Sequence, residues 1–473
     1  SYFSAADSYV DWLKHPSGRA ADRDRAWRVG HEHPPLLKVW MGLTGDVLGP
    51  TVGPIAGYRS GMLLWVFLLQ LLVFRTAQRH WGIFPATVAS LVLLLMPRVF
   101  FHAHLATHDY AITAIWFLVV YSYDRSARRP WRITLAACFL GLALLTKINA
   151  FFLAVPLAWI WCTQHLPAER RDATGRLQAW RRALLRGALP LLVVPPLLFV
   201  TFWPWLWSHP LERIEAYLLF HLRHYEVPTY YFGEVYGQAP WHFPWLMLLV
   251  TLPALLLPLL ALGTYCLRHV GWRLGGLLAV NASLPLVVVS LSPVPKFDGI
   301  RLFLPAMPFL ALIVSAGFWH LERTTRRPGG RPWIAWSLAA VVLASQAWSV
   351  ARYHPHQFAF FNLAIGGTPG AERLGFDVEY WGTAFREALP YLNEHPEAAY
   401  WVPVGVIHSV YRRAGLLEPQ VRFGDRVSGR RLVLMNRPAM MPRDLRRLWA
   451  EEEPIFRVER FGVDLVRIYD WPR

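Results

Sequence analysis

Arg301-Leu302-Phe303-Leu304-Pro305-Ala306-Met307-Pro308-Phe309-Leu310-Ala311-Leu312-Ile313-Val314-Ser315-Ala316-Gly317-Phe318-Trp319-His320-Leu321 decides the class of this protein. After Arg301 no Asp, Glu, Lys or Arg occurs until Glu322. About 20 predominantly apolar residues cross a ~30 Å hydrocarbon core as a helix, so Ile300–Leu321 reads as one membrane span. Working outward, nine more segments read the same way: Tyr58–Phe74, Trp81–Phe101, Asp109–Tyr123, Ile133–Thr146, Ile148–Thr163, Ala183–Leu206, Trp241–Cys266, Leu274–Leu291 and Pro332–Val350. The fourth and fifth in chain order are short and meet at Lys147, which makes them half-spans or a broken pair. Val194-Pro195-Pro196 predicts a kink that neighbouring helices can tolerate.

Composition agrees. Of the 473 residues, 55% are hydrophobic and 17% charged, against about a quarter charged in soluble domains. The mean hydropathy is +0.28. These values exclude disordered and collagenous classes. Three cysteines, Cys138, Cys162 and Cys266, all in or beside apolar runs, make no disulfide framework. The 24 Trp and 18 Tyr suit a chain with many membrane–water interfaces to anchor. A net charge of +17 would suggest nucleic acid in a soluble protein. Here the arginines sit in short loops between apolar segments, so topology explains them and no nucleic-acid partner is expected.

The positive-inside rule gives the orientation. Arg75 and Arg79, Arg125 to Arg132, Arg170 to Arg186, Arg268 and Arg273, and Arg323 to Arg331 fill one set of loops, which is expected to be cytoplasmic. The alternate set then lies outside: residues 1–57, the turn near His102–His108, the loop 207–240, the turn 293–299 and everything from Ala351. A chain starting on the outer face implies one more span upstream of Ser1. The fold expected is mainly α, a polytopic membrane helical bundle over residues 1–350, with a small extracytoplasmic α/β domain over 351–473. Within that tail, Ala398–Val404, Arg431–Asn436, Ile455–Arg460 and Val463–Tyr469 read as strands, and Gly382–Glu394 and Arg443–Glu451 as helices.

Ionisable residues at membrane depth are expensive, and each is a functional candidate. Asp7, in Ala6-Asp7-Ser8-Tyr9, can serve as a general base towards an acceptor hydroxyl, or as a helix cap. His31-Glu32-His33-Pro34-Pro35 opens an amphipathic stretch suited to the interface. Its histidines lack the HExxH spacing of a metalloprotease, so a polar turn capping that helix is favoured over metal. At His102-Ala103-His104-Leu105-Ala106-Thr107-His108-Asp109, the histidines are candidate ligands for a divalent ion, an anionic headgroup or an acceptor. Asp109 is a second candidate acid facing Asp7, or an Asp stabilised at a helix N-terminus. Lys147, and Lys296 and Arg301 in Lys296-Phe297-Asp298-Gly299-Ile300-Arg301, are cations that suit a phosphate, or that snorkel. The loop 207–240 carries Tyr217, His221, His224, Tyr225, Tyr230, Tyr231 and Tyr236, suited to sugar rings or to interfacial anchoring. The segment from Tyr353 to Phe358, through Phe361-Asn362 to Gly366-Gly367, follows the last span and could close the site from outside.

Taken in order, these residues resemble the multi-spanning glycosyltransferases that use polyprenyl-phosphate sugars, the GT-C class, whose members include protein O-mannosyltransferases and the aminoarabinose transferases of lipid A. The resemblance rests on Asp7-Ser8-Tyr9, His33-Pro34-Pro35, Thr107-His108-Asp109, Gly141-Leu142-Ala143-Leu144-Leu145-Thr146-Lys147 and Arg301-Leu302-Phe303-Leu304-Pro305 with Pro308. It covers nearly all of residues 1–350. Two positions depart from the pattern. Many relatives have Asp-Glu where this chain has Asp7-Ser8, and the aminoarabinose transferases have Lys where it has His33. The resemblance implies an inverting transfer of a sugar from a polyprenyl phosphate to a hydroxyl of a lipid, glycan or protein, on the outer face of the inner membrane. It implies Asp7 and Asp109 as acids of the site, and Lys147, Arg301 and Lys296 around the donor phosphate. His31, Glu32, His33, His102, His108 and Tyr353 are the expected substrate contacts. A transporter of a lipid-linked intermediate is the other class considered. Transporters usually carry paired repeats with sites at the midplane; this chain shows no repeat, and its polar residues gather at one face.

Overall fold

The computed structural model describes residues 2–471 apart from 128, 166–177, 179, 182, 224, 329, 332 and 404–406. His224, Arg128, and most of the arginine-rich loop 164–182 lie outside the described residues. Each of the ten expected spans is mainly helical over its described part, several of them with breaks. Five helices are long and apolar enough to cross a membrane: Pro54–Trp81, Leu184–Thr201, Trp272–Ser290, Arg301–Thr325 and Trp333–Arg352. Two bent pairs bring the number to seven, Ile83–Leu95 with Pro97–His104 at 69° and Phe243–Thr251 with Leu256–His269 at 116°. His108–Asp124 and Trp131–Leu144 are shorter, and 148–165 is broken into 3-10, α and π turns.

The breaks have local causes. Met96 and Leu252 each precede a proline, and both adopt extended backbone, with ψ of 115° and 139°. The proline ring disfavours helical backbone in the residue before it. Lys147 is extended as well, with φ −159° and ψ 147°. The helix Leu189–Thr201 runs through Pro195 and Pro196, so no break accompanies the prolines there. The span Arg301–Thr325 is the central one. Residues Phe303 to Phe318 are buried without interruption, which is why that stretch carries no charge.

Two short helices follow the N-terminus, Tyr2–Lys14 and Ala20–Arg28, and then the interfacial stretch, Leu36–Val52. Gly42 permits its crossing with the first helix, because a Cβ there would lie 2.8 Å from Ala6 O. The C-terminal region carries a five-stranded sheet. Its strands are β3 (Ala399–Trp401), β4 (Arg422–Gly424), β5 (Arg431–Met435), β6 (Phe456–Arg460) and β7 (Val463–Asp470), in the order β4-β3-β5-β7-β6. Its central strands β3 and β5 are parallel, and β7 runs antiparallel to β5 and β6. Four of the five match the expected strands; the sequence pattern missed β4, three residues long and polar-edged. In the loop before residue 241, β1 (Thr229–Tyr231) and β2 (Glu234–Tyr236) form a hairpin whose tip donates from Gly233 N to Gly375 O at 3.1 Å. Arg98, 2% exposed, fastens the chain leaving the last span: its Nε donates to Phe360 O at 3.0 Å, and its guanidinium lies 4.4 Å from the Phe361 ring centre.

Candidate active site

A cavity of 1140 Å³ opens between the helical bundle and the C-terminal domain. Its apolar side is built from Ile148, Phe151, Phe152, Pro285, Val288 and Leu302. Its polar side centres on an alternating chain of charges. Lys147 is placed by the break after Trp131–Leu144, and its Nζ donates to Asp109 Oδ1 at 2.6 Å. Asp109 stands in the first turn of His108–Asp124, where the helix dipole favours a carboxylate. Its second oxygen accepts from Arg301 Nε at 2.9 Å. Arg301 Nη1 donates to Asp298 Oδ2 at 2.8 Å, and Asp298 Oδ1 accepts from Arg437 Nη2 at 2.9 Å. Asp298 and Gly299 form a left-handed turn, φ +56° and +61°, a conformation that Asp tolerates better than most residues. A Cβ on Gly299 would meet Arg98 Nη1, so the turn is packed against its support.

Three cations, Lys147, Arg301 and Arg437, stand against two carboxylates in this chain, and all three cations line the cavity. Asp109, 1% exposed, is not among the lining residues. The result is an excess of positive charge on the wall, held rigidly from behind. Such a wall suits a phosphate, which Arg grips through a planar fork. Trp381 covers Arg301, with ring centre and guanidinium 4.8 Å apart.

The turn 30–33 forms another part of the wall. Lys38, fully buried, donates from Nζ to Gly30 O and, at 2.6 Å, to His33 O. His221 Nε2 donates to Glu32 O at 3.0 Å. The backbone on both sides of Glu32 is therefore fixed, while its carboxylate makes no hydrogen bond or ion pair with the described residues. His33 lines the cavity, and its ring centre lies 5.0 Å from that of His108. Burial, reinforced by His108 and Lys38, pushes the His33 imidazole well below its ordinary range, so it is neutral near pH 7.

The expected site residues divide accordingly. Lys147, Arg301, Glu32 and His33 line the cavity, and His31 lines a smaller one beside it. Asp7 does not line it. On the helix Tyr2–Lys14, the buried residues are Ala5, Ala6, Tyr9 and Val10. Asp7, about 100° round from Ala6, points its carboxylate at the Tyr58 hydroxyl and at Arg413 Nη1, the latter 2.8 Å away. Asp109 and Asp7 therefore do not face each other across the bundle. Lys296 also lies off the wall, its Nζ donating to Leu291 O and Val294 O at 3.1 and 3.0 Å. Tyr353 is elsewhere, its hydroxyl 3.0 Å from Thr368 Oγ1 and its ring stacked on Phe461. The segment Tyr353–Phe358 is replaced as the closing element by Trp381, Tyr411 and Arg437, which sequence reasoning missed.

The histidines of the turn before Asp109 diverge. His102 Nε2 meets the Tyr380 hydroxyl at 3.3 Å, His104 Nδ1 donates to Phe100 O at 2.6 Å, and His108 packs on Tyr2. Among the described residues no group of three or more His, Cys, Asp or Glu side chains is gathered to hold a metal ion. The described residues of that turn do not fit a divalent ion, one of the ligands for which they were candidates.

Residues 32–173 match the family model described as dolichyl-phosphate-mannose-protein mannosyltransferase. No curated protein matches the chain. Among solved structures it is similar to ArnT from Cupriavidus metallidurans in the apo state, with 15% identity, 99% of this chain and 93% of that chain covered, and a TM-score of 0.52. The same protein bound to undecaprenyl phosphate gives 14% identity, the same coverage and a TM-score of 0.51. At these identities the likeness shows a shared fold: a polytopic helical bundle with a small C-terminal α/β domain.

Proposed function

We propose that this protein is an integral-membrane glycosyltransferase that moves a sugar from a polyprenyl phosphate to an acceptor hydroxyl, on the outer face of the cytoplasmic membrane. The observation that carries the reading is the wall of Lys147, Arg301 and Arg437, three cations braced by Asp109 and Asp298 at the end of an apolar-sided cavity. The family description matched by residues 32–173 concerns a lipid-phosphate sugar donor. The similar ArnT crystal binds undecaprenyl phosphate. Both support the same substrate class.

In this reading the lipid tail lies along Ile148, Phe151, Phe152 and Leu302, and the phosphate meets Arg301 and Lys147. The acceptor oxygen attacks the anomeric carbon from the side opposite the phosphate. The carbon–oxygen bond to phosphate breaks with its electron pair, leaving a phosphate monoester and inverting the anomeric centre. Charge grows on the departing phosphate, where fixed cations lower the barrier. Asp109 holds both cations without competing for the ligand from the front, since each of its oxygens is already taken. The arginine-rich loops support an orientation with the C-terminal domain outside.

The test is binding and turnover in nanodiscs. Undecaprenyl phosphate should bind the wild type, and Arg301→Ala should weaken binding roughly ten- to a hundredfold, the worth of a charge-assisted hydrogen bond. A wild-type protein that binds no polyprenyl phosphate would end the proposal.

A further inference from the structure

A second cavity, 420 Å³, adjoins the first and is lined by His31, Glu32, Trp205, Ala216, Tyr217, Phe220 and Tyr225. Its volume lies near the lower end of ligand sites, ~300–1,000 Å³. Glu32, Phe220 and Tyr225 line both cavities. Among the described residues Glu32 is thus the one charged residue that borders the two. The other lining carboxylates, Asp298 and Glu226, border the large cavity alone, and Asp298 is bound to two arginines. Glu32, on a turn fixed by Lys38 and His221, makes no hydrogen bond or ion pair with its carboxylate among the described residues.

We propose that the smaller cavity takes a hydroxylated ring of the acceptor, a saccharide rather than a peptide, and that Glu32 removes the proton from its attacking hydroxyl. This rests on the transferase reading above. Trp205, Tyr217 and Tyr225 supply aromatic faces of the kind that pack against the apolar face of a sugar ring. The indole of Trp205 is 4.5 Å from the His31 ring. His31 Nδ1 donates to Arg28 O at 2.8 Å, which leaves Nε2 as an acceptor for a sugar hydroxyl. Tyr217 is 3% exposed, and its hydroxyl has no hydrogen-bond partner among the described residues.

The position of Glu32 matches what the reaction needs. A base has to stand between the acceptor hydroxyl and the anomeric carbon of the donor, within hydrogen-bond reach of the proton it removes. With donor in the large cavity and acceptor in the small one, Glu32 stands at the boundary. The acceptor O–H gives its proton to the Glu32 carboxylate as its oxygen bonds to the anomeric carbon. The carbon–oxygen bond to phosphate breaks, its electrons leaving with the polyprenyl phosphate. Glu32 then returns the proton to solvent. Asp7, held by Tyr58 and Arg413 outside either cavity, and Asp109, with both oxygens engaged, are not placed for this step.

The experiment uses the full chain in nanodiscs, a labelled polyprenyl-phosphate sugar as donor, a total envelope extract as acceptor pool and undecaprenyl phosphate as binding probe. Glu32→Gln should bind undecaprenyl phosphate within about twofold of wild type and lose transfer by at least about a hundredfold, as expected for a positioned base. Trp205→Ala should raise the acceptor concentration for half-maximal transfer and leave donor affinity unchanged. Label should enter the lipid or glycan fraction. Transfer by Glu32→Gln within tenfold of wild type, or loss of probe binding together with transfer, overturns the base assignment. Label entering the protein fraction overturns the ring assignment. If Glu32→Gln does not fold, Glu32→Asp replaces it: a shortened carboxylate should cut transfer at least tenfold with unchanged probe affinity, and undiminished transfer counts against Glu32. Failure of the wild type to bind the probe is a separate result, which sinks the transferase reading itself.

Discussion

Arg437 of the C-terminal domain donates to Asp298 of the helical bundle at 2.9 Å, and Asp298 on its other side holds Arg301 at 2.8 Å. The C-terminal domain is therefore part of the cavity wall. Arg437 also donates from Nη1 to Tyr380 O at 2.9 Å, which fixes the segment bearing Trp381 over Arg301.

Arg437→Ala should weaken undecaprenyl phosphate binding, by about three- to tenfold, because Asp298 then pairs with Arg301 alone and offsets more of its charge. Arg437→Lys should recover part of this, since a point charge satisfies Asp298 but not Tyr380 O as well. Affinity measured for the two variants in nanodiscs checks it; equal affinity in Arg437→Ala and wild type would detach the domain from the donor site.

Asp109→Asn should be costlier to the fold than either of its partners' removal. Asp109 is 1% exposed and answers two cations. Breaking a buried pair by removing one partner costs about 3–5 kcal/mol. Thermal unfolding in detergent should show Asp109→Asn below both Lys147→Ala and Arg301→Ala, and the reverse order would contradict the bracing role.

Lys296→Met should leave donor affinity within about twofold of wild type. The Lys296 ammonium is spent on two backbone carbonyls, Leu291 O and Val294 O. Its loss should appear as a lower unfolding free energy, by roughly the worth of hydrogen bonds to a charged group, about 1.5–3 kcal/mol, and so as a lower melting temperature. A tenfold loss of affinity without loss of stability would return Lys296 to the phosphate site.

Docking of the hairpin β1–β2 should depend on pH through Asp377. Asp377 accepts from Tyr230 N at 3.1 Å and Ala439 N at 3.3 Å. Burial pushes its carboxyl up to about 7, with Arg437 opposing and Asp298 adding to the rise. Because the folded value is raised, its stabilising contribution is complete below the unfolded value, about 3.9, and is lost as pH rises through about 7. Hydrogen exchange at residues 229–236 should quicken from pH 5 to pH 8 beyond the intrinsic rate, and Asp377→Asn should abolish that excess. An excess unchanged in Asp377→Asn would assign the effect to another group.

Topology is checked by cysteine labelling with an impermeant reagent in intact cells. Single cysteines in 207–240 and 351–473 should react, and those in 164–182 and 322–331 should not, as the arginine distribution requires. Labelling of the arginine-rich loops would invert the orientation.

The sequence by itself determined the bundle. Long runs without charge are a direct record of burial in an apolar surround, whereas the bends at Met96 and Leu252, each before a proline, are not singled out in the sequence, the one kink expected being at Pro195-Pro196. It also marked Lys147 and Arg301, because an ionisable side chain beside an apolar run has few inexpensive uses. What it left open are relations between distant elements. Arg437 and Trp381 look like ordinary residues of a charge-balanced tail, and only the docking of that tail brings them to Arg301. Lys296 and Arg301 stand on the same turn and look equivalent, yet one folds back onto carbonyls and the other reaches Asp109. Asp7 and Glu32 are both acids near the start of the chain. The packing of Ala5, Ala6, Tyr9 and Val10 turns Asp7 away, while Lys38 and His221 pin the turn that carries Glu32 between two cavities. Hydropathy and spacing are properties of one segment, but the partner of a charge is chosen by whichever segment the fold lays against it, and that choice is made by packing.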